Sequence, residues 1–325
     1  MSSELRVLSN FINGEFATLD GGTSEVFDPS TGQAYASAAL SGAPDLDRAY
    51  AAAARAFESW GRTTPAERQR ALLEVADALE SRADEFVAAE SENKAPVIVF
   101  DDAGVEAAAA IAITGYSNGG QDCTAATRVM VSPGIHDDFV VALTEQARNT
   151  VTGAPSNVDA LYGPVNNANQ LIHIGNSIDP LPDHAALNAG GSKLTGGDHS
   201  NGYFYEPTVV SGPDQQDEAA QNEIFGPAIT VQKCTDERQA LAYANGTRYG
   251  LASSVWTADH SRAMRMSAAL NVGCVRIKTH IPLVAETPHG GFGHSRYGKD
   301  PSLYSLEDYP RLKHVMSAIG TEEHG

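Results

Sequence analysis

The stretch APVIVFDD, at residues 95–102, decides the fold of this chain. It holds a short, continuous apolar run that is rich in β-branched side chains. Such a run predicts a strand that is buried on both faces, as the inner strands of a parallel sheet are. The carboxylates at its end, Asp101 and Asp102, resemble a strand end that opens into a helix cap. The sequence therefore predicts a buried strand that follows the preceding helix without a linker.

The segment before this strand predicts a small β arm and two helices. Residues 11–40 contain short strands and turns, and the Asn-Gly pair at 13–14 indicates a hairpin. A first, alanine-rich helix is expected over about 45–60. A second begins with the sequence TPAE at 64–67, which combines a capping box with proline at the first helical position. Its apolar residues recur at helical spacing, and the helix is expected to reach Lys94.

From residue 104 onward, strand-like and helical segments alternate. This alternation predicts an α/β fold built on a mainly parallel sheet. Residues 180–201 are rich in glycine, proline and polar side chains, and we expect them to form an exposed loop. The predicted strands are 127–131, 204–210, 228–233, 250–256 and 273–277, and the predicted helices are 105–116, 137–148, 236–245 and 259–270.

The charge and composition of the chain narrow its possible partners. Its 41 acidic and 22 basic residues leave a formal net charge of −19, which argues against nucleic acid or a membrane surface, because both attract basic proteins. Hydrophobic residues at 42% and charged residues at 19% are typical of a globular protein. The start of the sequence has no apolar signal core, and no run approaches the ~18 apolar residues of a membrane helix. We therefore expect a cytoplasmic protein.

The sequence GGQDCT at residues 119–124, which we call the cysteine turn, is the main candidate for chemistry. Only a thiolate is a useful nucleophile, and it needs an exposed place where a carbonyl can approach. Adjacent glycines let the backbone come close to a ligand. The alternative for Cys123 is a small buried cysteine beside a turn. Asp122 could attract a substrate ammonium or be a solvated turn carboxylate.

The other cysteines and the histidines carry weaker signals. Cys234 and Cys274 lie in strand-like runs and are expected in the core. The three cysteines are widely spaced and form no C-x-x-C pair, which favours neither a disulfide framework nor a zinc site. The ten histidines, among them His280, show no metal-ligand spacing.

Two further motifs follow the cysteine turn. Residues 221–227 read QNEIFGP and are called the 221–227 loop. Its carboxylate Glu223 and its aromatic ring Phe225 could hydrogen-bond a ribose diol and hold a flat ring, although such a stretch taken alone is more often a structural turn. Residues 288–300 are glycine-rich and polar. The near match to G-x-G-x-x-G at 291–296 fails at its last position and does not lie between a strand and a helix.

Together these motifs closely resemble the aldehyde dehydrogenase superfamily, and within it the amino-aldehyde branch of aminobutyraldehyde and betaine-aldehyde types. The resemblance covers the chain from residue 10 to 319. The stretches that carry it are 11–14, 27–32, 95–102, 120–124, 223–227, 249–256, 279–282 and 297–300.

The resemblance implies a role for each motif. Cys123 corresponds to the nucleophile that forms a thiohemiacetal with the aldehyde, after which hydride passes to NAD or NADP and water cleaves the thioester. Glu223 and Phe225 correspond to the residues that hold the nicotinamide ribose and ring. The backbone N–H of Cys123 is expected to supply one oxyanion donor.

The resemblance also implies that a large internal block is missing. Family members carry roughly 150 residues, an ordinary domain's length, between the helix that ends near Asn93 and the strand that follows Lys94. That missing block holds most of the dinucleotide-binding sheet with its phosphate turn, the oxyanion asparagine, the cofactor-contacting lysine, the general-base glutamate and the oligomerisation hairpin. Glu286 is a candidate substitute base, but a surface carboxylate is the better interpretation. Two departures also fall near the site: Arg296 replaces a usual glycine and Lys278 a usual asparagine.

These expectations define an α/β protein of three parts. Residues 1–103 are expected to be a reduced remnant of the Rossmann-type cofactor domain, with N-terminal strands, two helices and one strand. Residues 104–287 are expected to be an aldehyde dehydrogenase-like catalytic domain, and 288–325 a return segment with an edge strand near 311–316. Because the remnant leaves apolar surface uncovered, we expect a homo-oligomer, and a dimer in particular.

Three functional hypotheses remain open. Loss of an oxyanion donor costs about 10²–10³ in rate and loss of the base a further ~10²–10⁴. The preferred hypothesis is therefore a poor or inactive NAD(P) dehydrogenase that retains thiol-based aldehyde binding or weak esterase chemistry. The alternatives are a working NAD(P)-dependent oxidation of an amino-aldehyde to the acid, and a non-catalytic partner of a full-length relative.

Overall fold

The structure is a computed structural model, and it describes residues 5–17, 22–80, 94–295, 298–308 and 313–316. The described strands are β1 (Arg6–Leu8), β2 (Phe11–Ile12), β3 (Glu15–Phe16), β4 (Thr23–Asp28), β5 (Gln33–Ala39), β6 (Pro96–Val99), β7 (Arg128–Val131), β8 (Ala186–Ala189), β9 (Thr208–Ser211), β10 (Ala228–Lys233), β11 (Ala252–Trp256), β12 (Cys274–Ile277), β13 (His289–Gly290) and β14 (Lys299–Asp300). The described α-helices are α1 (Ala43–Trp60), α2 (Pro65–Glu80), α3 (Ala107–Tyr116), α4 (His136–Asn149), α5 (Ala168–Ile178), α6 (Glu218–Gln221), α7 (Glu237–Ala244), α8 (His260–Ala269) and α9 (Ser302–Asp308).

The largest sheet of the described strands has the order β12-β11-β6-β7-β10-β9-β8. β6 lies inside it and pairs in parallel with both neighbours, with Val97 opposite Ser254 on β11 and Val129 on β7. All four residues of β6 are buried, which confirms the strand that residues 95–102 predict. Among the described strands of this sheet, β8 pairs antiparallel with β9 and the other pairs are parallel.

Both faces of this sheet are covered. Side chains alternate along β6 and β7, so that Val97 and Val99 belong to one apolar cluster while Ile98 belongs to another. The first cluster contains residues of α3 and α4, such as Ile111 and Leu143, and the second contains residues of α7 and α8. The result is the three-layer α/β architecture that the alternation of elements predicts.

The N-terminal segment forms a separate three-stranded sheet with the order β1-β5-β4. The predicted hairpin is present as β2 and β3, and Asn13 and Gly14 adopt positive φ angles of 57° and 86°, as a two-residue turn of this type requires. The capping box of α2 is also present, because the Thr64 N–H donates to the Glu67 carboxylate at 2.6 Å. The Tyr203 N–H donates to the Pro29 carbonyl at 2.9 Å, which ties this segment to the rest of the chain.

β6 changes the grouping that the sequence suggests. The division at 103/104 assigns this strand to the N-terminal remnant, yet β6 pairs on both sides with strands that follow residue 104. Parallel pairing and burial on both faces place it in the main sheet. The three-part division of the chain otherwise stays a prediction.

Several other expectations need correction. Residues 180–201 are not wholly a loop, because they contain the edge strand β8 and a short 3₁₀ turn. The strand expected over 204–210 begins later, at Thr208.

Residues 313–316 lie outside any strand of the described part, and 311–312 are not among the described residues. The continuation of α2 over 81–93 and the departure at Arg296 also lie outside them. Helices α5, α6 and α9 were not predicted.

Within the described ranges, no helix combines the length and the apolar character needed to cross a bilayer.

Candidate active site

The cysteine turn has a backbone that requires its glycines. Immediately after α3, Asn118, Gly119 and Gly120 adopt positive φ angles of 52°, 63° and 69°. Three consecutive left-handed residues are costly unless most of them are glycine or asparagine. The Asn118 side-chain amide donates to the Gln121 carbonyl at 2.9 Å, which closes the turn. Cys123 follows it and is half-buried.

The cysteine turn lies directly against the 221–227 loop. A Cβ on Gly120 would collide with the carbonyl group of Gly226 and would lie 3.0 Å from the Pro227 nitrogen. The two backbones therefore touch at a point where only glycine fits. Phe225, in the same loop, has a positive φ of 49°. Two motifs that are about 100 residues apart in sequence thus meet in the fold, as their common resemblance implies.

The start of α5 connects the two motifs. The Asn166 N–H donates to the Gln121 side-chain oxygen at 2.8 Å. The Gln170 side-chain amide donates to the carbonyls of Ile224 and Phe225 at 2.9 and 2.8 Å. Gln170 thus connects α5 with the 221–227 loop, a contact that the sequence did not predict. Asn167, which caps α5, is a local signal for the helix, but the contacts of Gln170 are long-range.

Asp122 faces its own turn. One of its carboxylate oxygens accepts hydrogen bonds from the Thr124 N–H at 2.6 Å and from the Thr124 hydroxyl at 2.7 Å. This is the local pattern by which aspartate stabilises a turn. The structure therefore gives Asp122 a turn-forming role; attraction of a substrate ammonium stays a prediction.

His280 lies beneath the cysteine turn. It is 2% exposed, its Nε2 lies 2.5 Å from the Thr124 carbonyl oxygen, and its Nδ1 lies 2.8 Å from the Ser254 hydroxyl. Burial lowers the pKa of this imidazole to about 4, although the hydrogen bond to Thr124 acts in the opposite direction. His280 is thus neutral at neutral pH.

Three charged side chains gather where Lys94 leads into β6. Lys94 is 1% exposed. Its pKa is lowered to about 7, chiefly by burial and then by the nearby charge of Arg128, while Glu223 raises it. Arg128 is wholly buried, donates to the Tyr243 carbonyl, and has a pKa lowered to about 10 by burial. Glu223, which is predicted to hold a ribose, therefore lies close enough to the buried amine of Lys94 to raise its pKa. Lys94 is also the position beside which the missing block is expected.

The remaining predicted residues separate into core and surface. Cys234 is buried, and burial raises the pKa of its thiol to about 12. Cys274 is half-buried in β12, and the three cysteines form no disulfide. Glu286 is exposed. Lys278 has a positive φ of 56°, a conformation that asparagine tolerates better than lysine, and this explains why a usual asparagine suits the position. The part of the chain that the structure describes contains no cluster of three metal-ligating side chains.

The fold and the site together define an α/β protein with a cysteine in a glycine-rich turn against a Glu-x-Phe-Gly-Pro loop. The model of the aldehyde dehydrogenase family matches this chain in two segments, residues 16–95 and 87–315. The chain belongs to the aldehyde dehydrogenase family. The two matched segments meet at residues 87–95, where the sequence places the missing block.

The comparisons with individual proteins give the same family. An aldehyde dehydrogenase of Emericella nidulans is 39% identical over 230 residues, which are 70% of this chain and 45% of that protein. A betaine aldehyde dehydrogenase of Bacillus subtilis is 33% identical over 231 residues, or 70% of this chain and 47% of that protein. The chain thus spans just under half the length of these curated relatives.

A solved structure is similar to a comparable part of the chain. Betaine aldehyde dehydrogenase from Staphylococcus aureus, in complex with NAD+, superposes with a TM-score of 0.65 at 32% identity. The match covers 73% of this chain and 48% of that one.

Proposed function

We propose that this chain is a truncated aldehyde dehydrogenase in which Cys123 binds aldehydes reversibly, and that it is a poor or inactive NAD(P) dehydrogenase. The observation that carries the proposal is the backbone contact between Gly120 and Gly226. It supports an intact cysteine turn that positions the nucleophile Cys123. The meeting of the two family segments at 87–95 argues that the block with the base, the oxyanion asparagine and the phosphate turn is missing.

The proposed chemistry needs no oxidant. The Cys123 thiolate sulfur bonds to the carbonyl carbon of the aldehyde, and the π electrons move to the oxygen, which takes up a proton. The resulting thiohemiacetal breaks down by the reverse steps. With an activated ester the same attack expels the alcohol, and water then cleaves the thioester. Each step would be slow, because removal of an oxyanion donor costs about 10²–10³ in rate.

The cofactor residues fit NAD or NADP only in part. Glu223 and Phe225 lie beside Cys123's turn through Gly226 and would hold the nicotinamide ribose and ring by family resemblance. In this chain the charge of Glu223 also acts on the buried amine of Lys94. When bound, the cofactor would supply the hydride acceptor. The pyrophosphate contacts of the family belong to the missing block.

An amino-aldehyde is the substrate class that we propose for the site. The relatives named for betaine aldehyde support this class, and the net charge of −19 is compatible with a cationic ligand. We place the protein in the cytoplasm, where thiols stay reduced.

A specific observation favours the second candidate function, that of a non-catalytic partner. Large apolar side chains on α1 and α2 are exposed, among them Tyr50 at 76%, Phe57 at 58% and Leu72 at 65%. Exposed apolar faces of this kind mark protein contacts.

We propose a homo-oligomer, most simply a dimer. A monodisperse monomer in light scattering would contradict it.

The function is tested by alkylating the protein with iodoacetamide, with and without an amino-aldehyde, and reading each cysteine by mass spectrometry. We expect the aldehyde to protect Cys123 but not Cys274, and we expect no NADH absorbance when NAD+ is added. Cys123→Ser is the matched control and should abolish the protected signal. A clear NADH signal would establish the oxidative alternative. Absence of protection would remove aldehyde binding and leave the partner hypothesis.

A binding measurement with NAD+ and NADP+ complements this experiment. Calorimetry should show no saturable heat with either nucleotide. Saturable binding that Glu223→Gln weakens would show that the 221–227 loop still holds the ribose, and would restore the oxidative alternative.

A further inference from the structure

We infer that His280 is a positioning residue for the nucleophile, and that its Nε2–H holds the Thr124 carbonyl so that the cysteine turn keeps one conformation. The inference concerns the site of the proposed function. It adds a residue that the roles above leave unassigned.

The hydrogen-bond pattern determines which nitrogen of His280 carries the proton. A carbonyl oxygen can only accept, so the 2.5 Å contact with Thr124 requires a proton on Nε2. In the neutral ring Nδ1 is then an acceptor, and the Ser254 hydroxyl donates to it at 2.8 Å. Both ring nitrogens are occupied. His280 is therefore not a base for the Cys123 thiol, in contrast to the histidine of a cysteine–histidine pair.

What His280 does is complete the restraint of Thr124. The N–H and the hydroxyl of Thr124 are held by the Asp122 carboxylate, and its carbonyl is held by His280. Every polar group of the residue after Cys123 thus has a partner. Asp122, the partner of the first two groups, comes from the turn itself, whereas His280 comes from a segment 156 residues away in sequence. The peptide group before Thr124 is therefore restrained by the turn, and the peptide group after it by His280.

The hydrogen bonds of His280 connect the cysteine turn with the main sheet. Its Nδ1 partner, Ser254, lies in β11, wholly buried and opposite Val97 of β6. The hydrogen bonds from the Thr124 carbonyl through the imidazole to the Ser254 hydroxyl thus connect the turn with the buried pair of strands β11 and β6. A group restrained in this way loses little conformational freedom when a ligand binds.

The test compares two substitutions of His280. His280→Gln keeps a side-chain N–H near the position of Nε2, whereas His280→Phe keeps a ring of similar size without a donor. We expect amide hydrogen exchange over residues 118–127 to rise about tenfold in the Phe variant and to stay within about twofold of the wild type in the Gln variant. The rate of Cys123 alkylation should change in the same order. Neither readout depends on aldehyde binding, so the inference and the proposed function can fail separately.

A matched control is His199→Phe. His199 also contacts a backbone carbonyl, that of Thr152 at 3.1 Å, which is not part of the cysteine turn. It should alter exchange near Thr152 and leave residues 118–127 unchanged. A merely structural role for His280 predicts faster exchange everywhere, including α4, without rescue by Gln.

A second variant covers the case in which the Phe protein does not fold. Ser254→Ala removes the donor to Nδ1 and should raise exchange over 118–127 about threefold. The inference is overturned if the folded His280→Phe protein, or Ser254→Ala in its place, matches the wild type in both exchange and Cys123 alkylation.

Discussion

The helices of the sheet region and the helices of the N-terminal segment differ in how much of their apolar surface is buried. In the sheet region α3 is pressed between β10 and α4, and its Ile111 is 0% exposed. In the N-terminal segment α2 has a regular apolar pattern and a complete cap, yet its Leu72 is 65% exposed. Local sequence can start a helix, but most of a helix's stability in a protein comes from burying its apolar face against another surface. If the block missing from this chain supplies that surface in longer relatives, the two regions should differ in stability as they do in exposure.

The largest expected effect is at Lys94, where the two regions join. Its folded pKa of about 7 is depressed from the ordinary lysine value, so between these two pKa values the unfolded chain binds a proton that the folded chain has lost. Stability must therefore rise with pH in that window, and the penalty is full below it. Relative to Lys94→Met, the wild type should gain about 4 kcal/mol in free energy of unfolding between about pH 6 and pH 10.

Urea unfolding of both proteins across this pH range measures the difference. Lys193→Met, at an exposed lysine, is the matched control and should run parallel to the wild type. A constant gap between Lys94→Met and the wild type would mean that Lys94 is charged in the folded protein.

The next effect contrasts the cores directly. Ile111→Ala leaves a cavity in a fully buried site and should cost about 2–5 kcal/mol. Leu72→Ala removes an exposed side chain and should change stability by no more than about 0.5 kcal/mol. Chemical denaturation at two protein concentrations sharpens the comparison. If a second copy covers α2, Leu72→Ala will destabilise the protein at high concentration and not at low.

The same contrast explains which elements and contacts could be predicted from the sequence alone. β6 was predictable because its apolar run is continuous, and α2 because its cap is local. The pairing of the cysteine turn with the 221–227 loop followed from the family resemblance. The role of Gln170 was not predictable, since its partners lie more than 50 residues away. β8 was missed because it has four residues and lies in a stretch rich in glycine, proline and polar residues that is also typical of a loop, and pairing with β9 decides its conformation. Nothing local in the sequence connects His280 with Thr124.

A third prediction concerns the pH dependence of the sheet region. The folded pKa of His280, about 4, lies below the ordinary histidine value, mainly because of burial; the hydrogen bond to Thr124 and the charge of Asp122 raise it, and Arg276 lowers it. The unfolded chain therefore takes up a proton first as pH falls, and stability is lost in that window. Relative to His280→Gln, the wild type should lose about 3 kcal/mol between about pH 8 and pH 4.

Thermal or urea unfolding at several pH values measures this loss. The exchange of the N-terminal amides over residues 22–80 should not follow it, because His280 contacts the sheet region. A wild type and Gln variant with identical pH profiles would show that the imidazole is not buried as described.

The smallest expected effect is in α2, where the hydrogen bonds of the cap stabilise a helix that gains little stability from packing. Thr64 and Glu67 satisfy each other's backbone N–H groups, with the Glu67 N–H donating to the Thr64 hydroxyl at 3.3 Å. Thr64→Ala should cost about 1 kcal/mol, and in a helix with little burial this loss should appear as local opening. We expect amide exchange over 65–80 to rise about fivefold while exchange in α3 is unchanged; Thr195→Ala, at an exposed loop threonine, is the control. An equal rise in α3 would show that the two regions unfold as one unit, and that the exposed helices are coupled to the sheet more tightly than their contacts indicate.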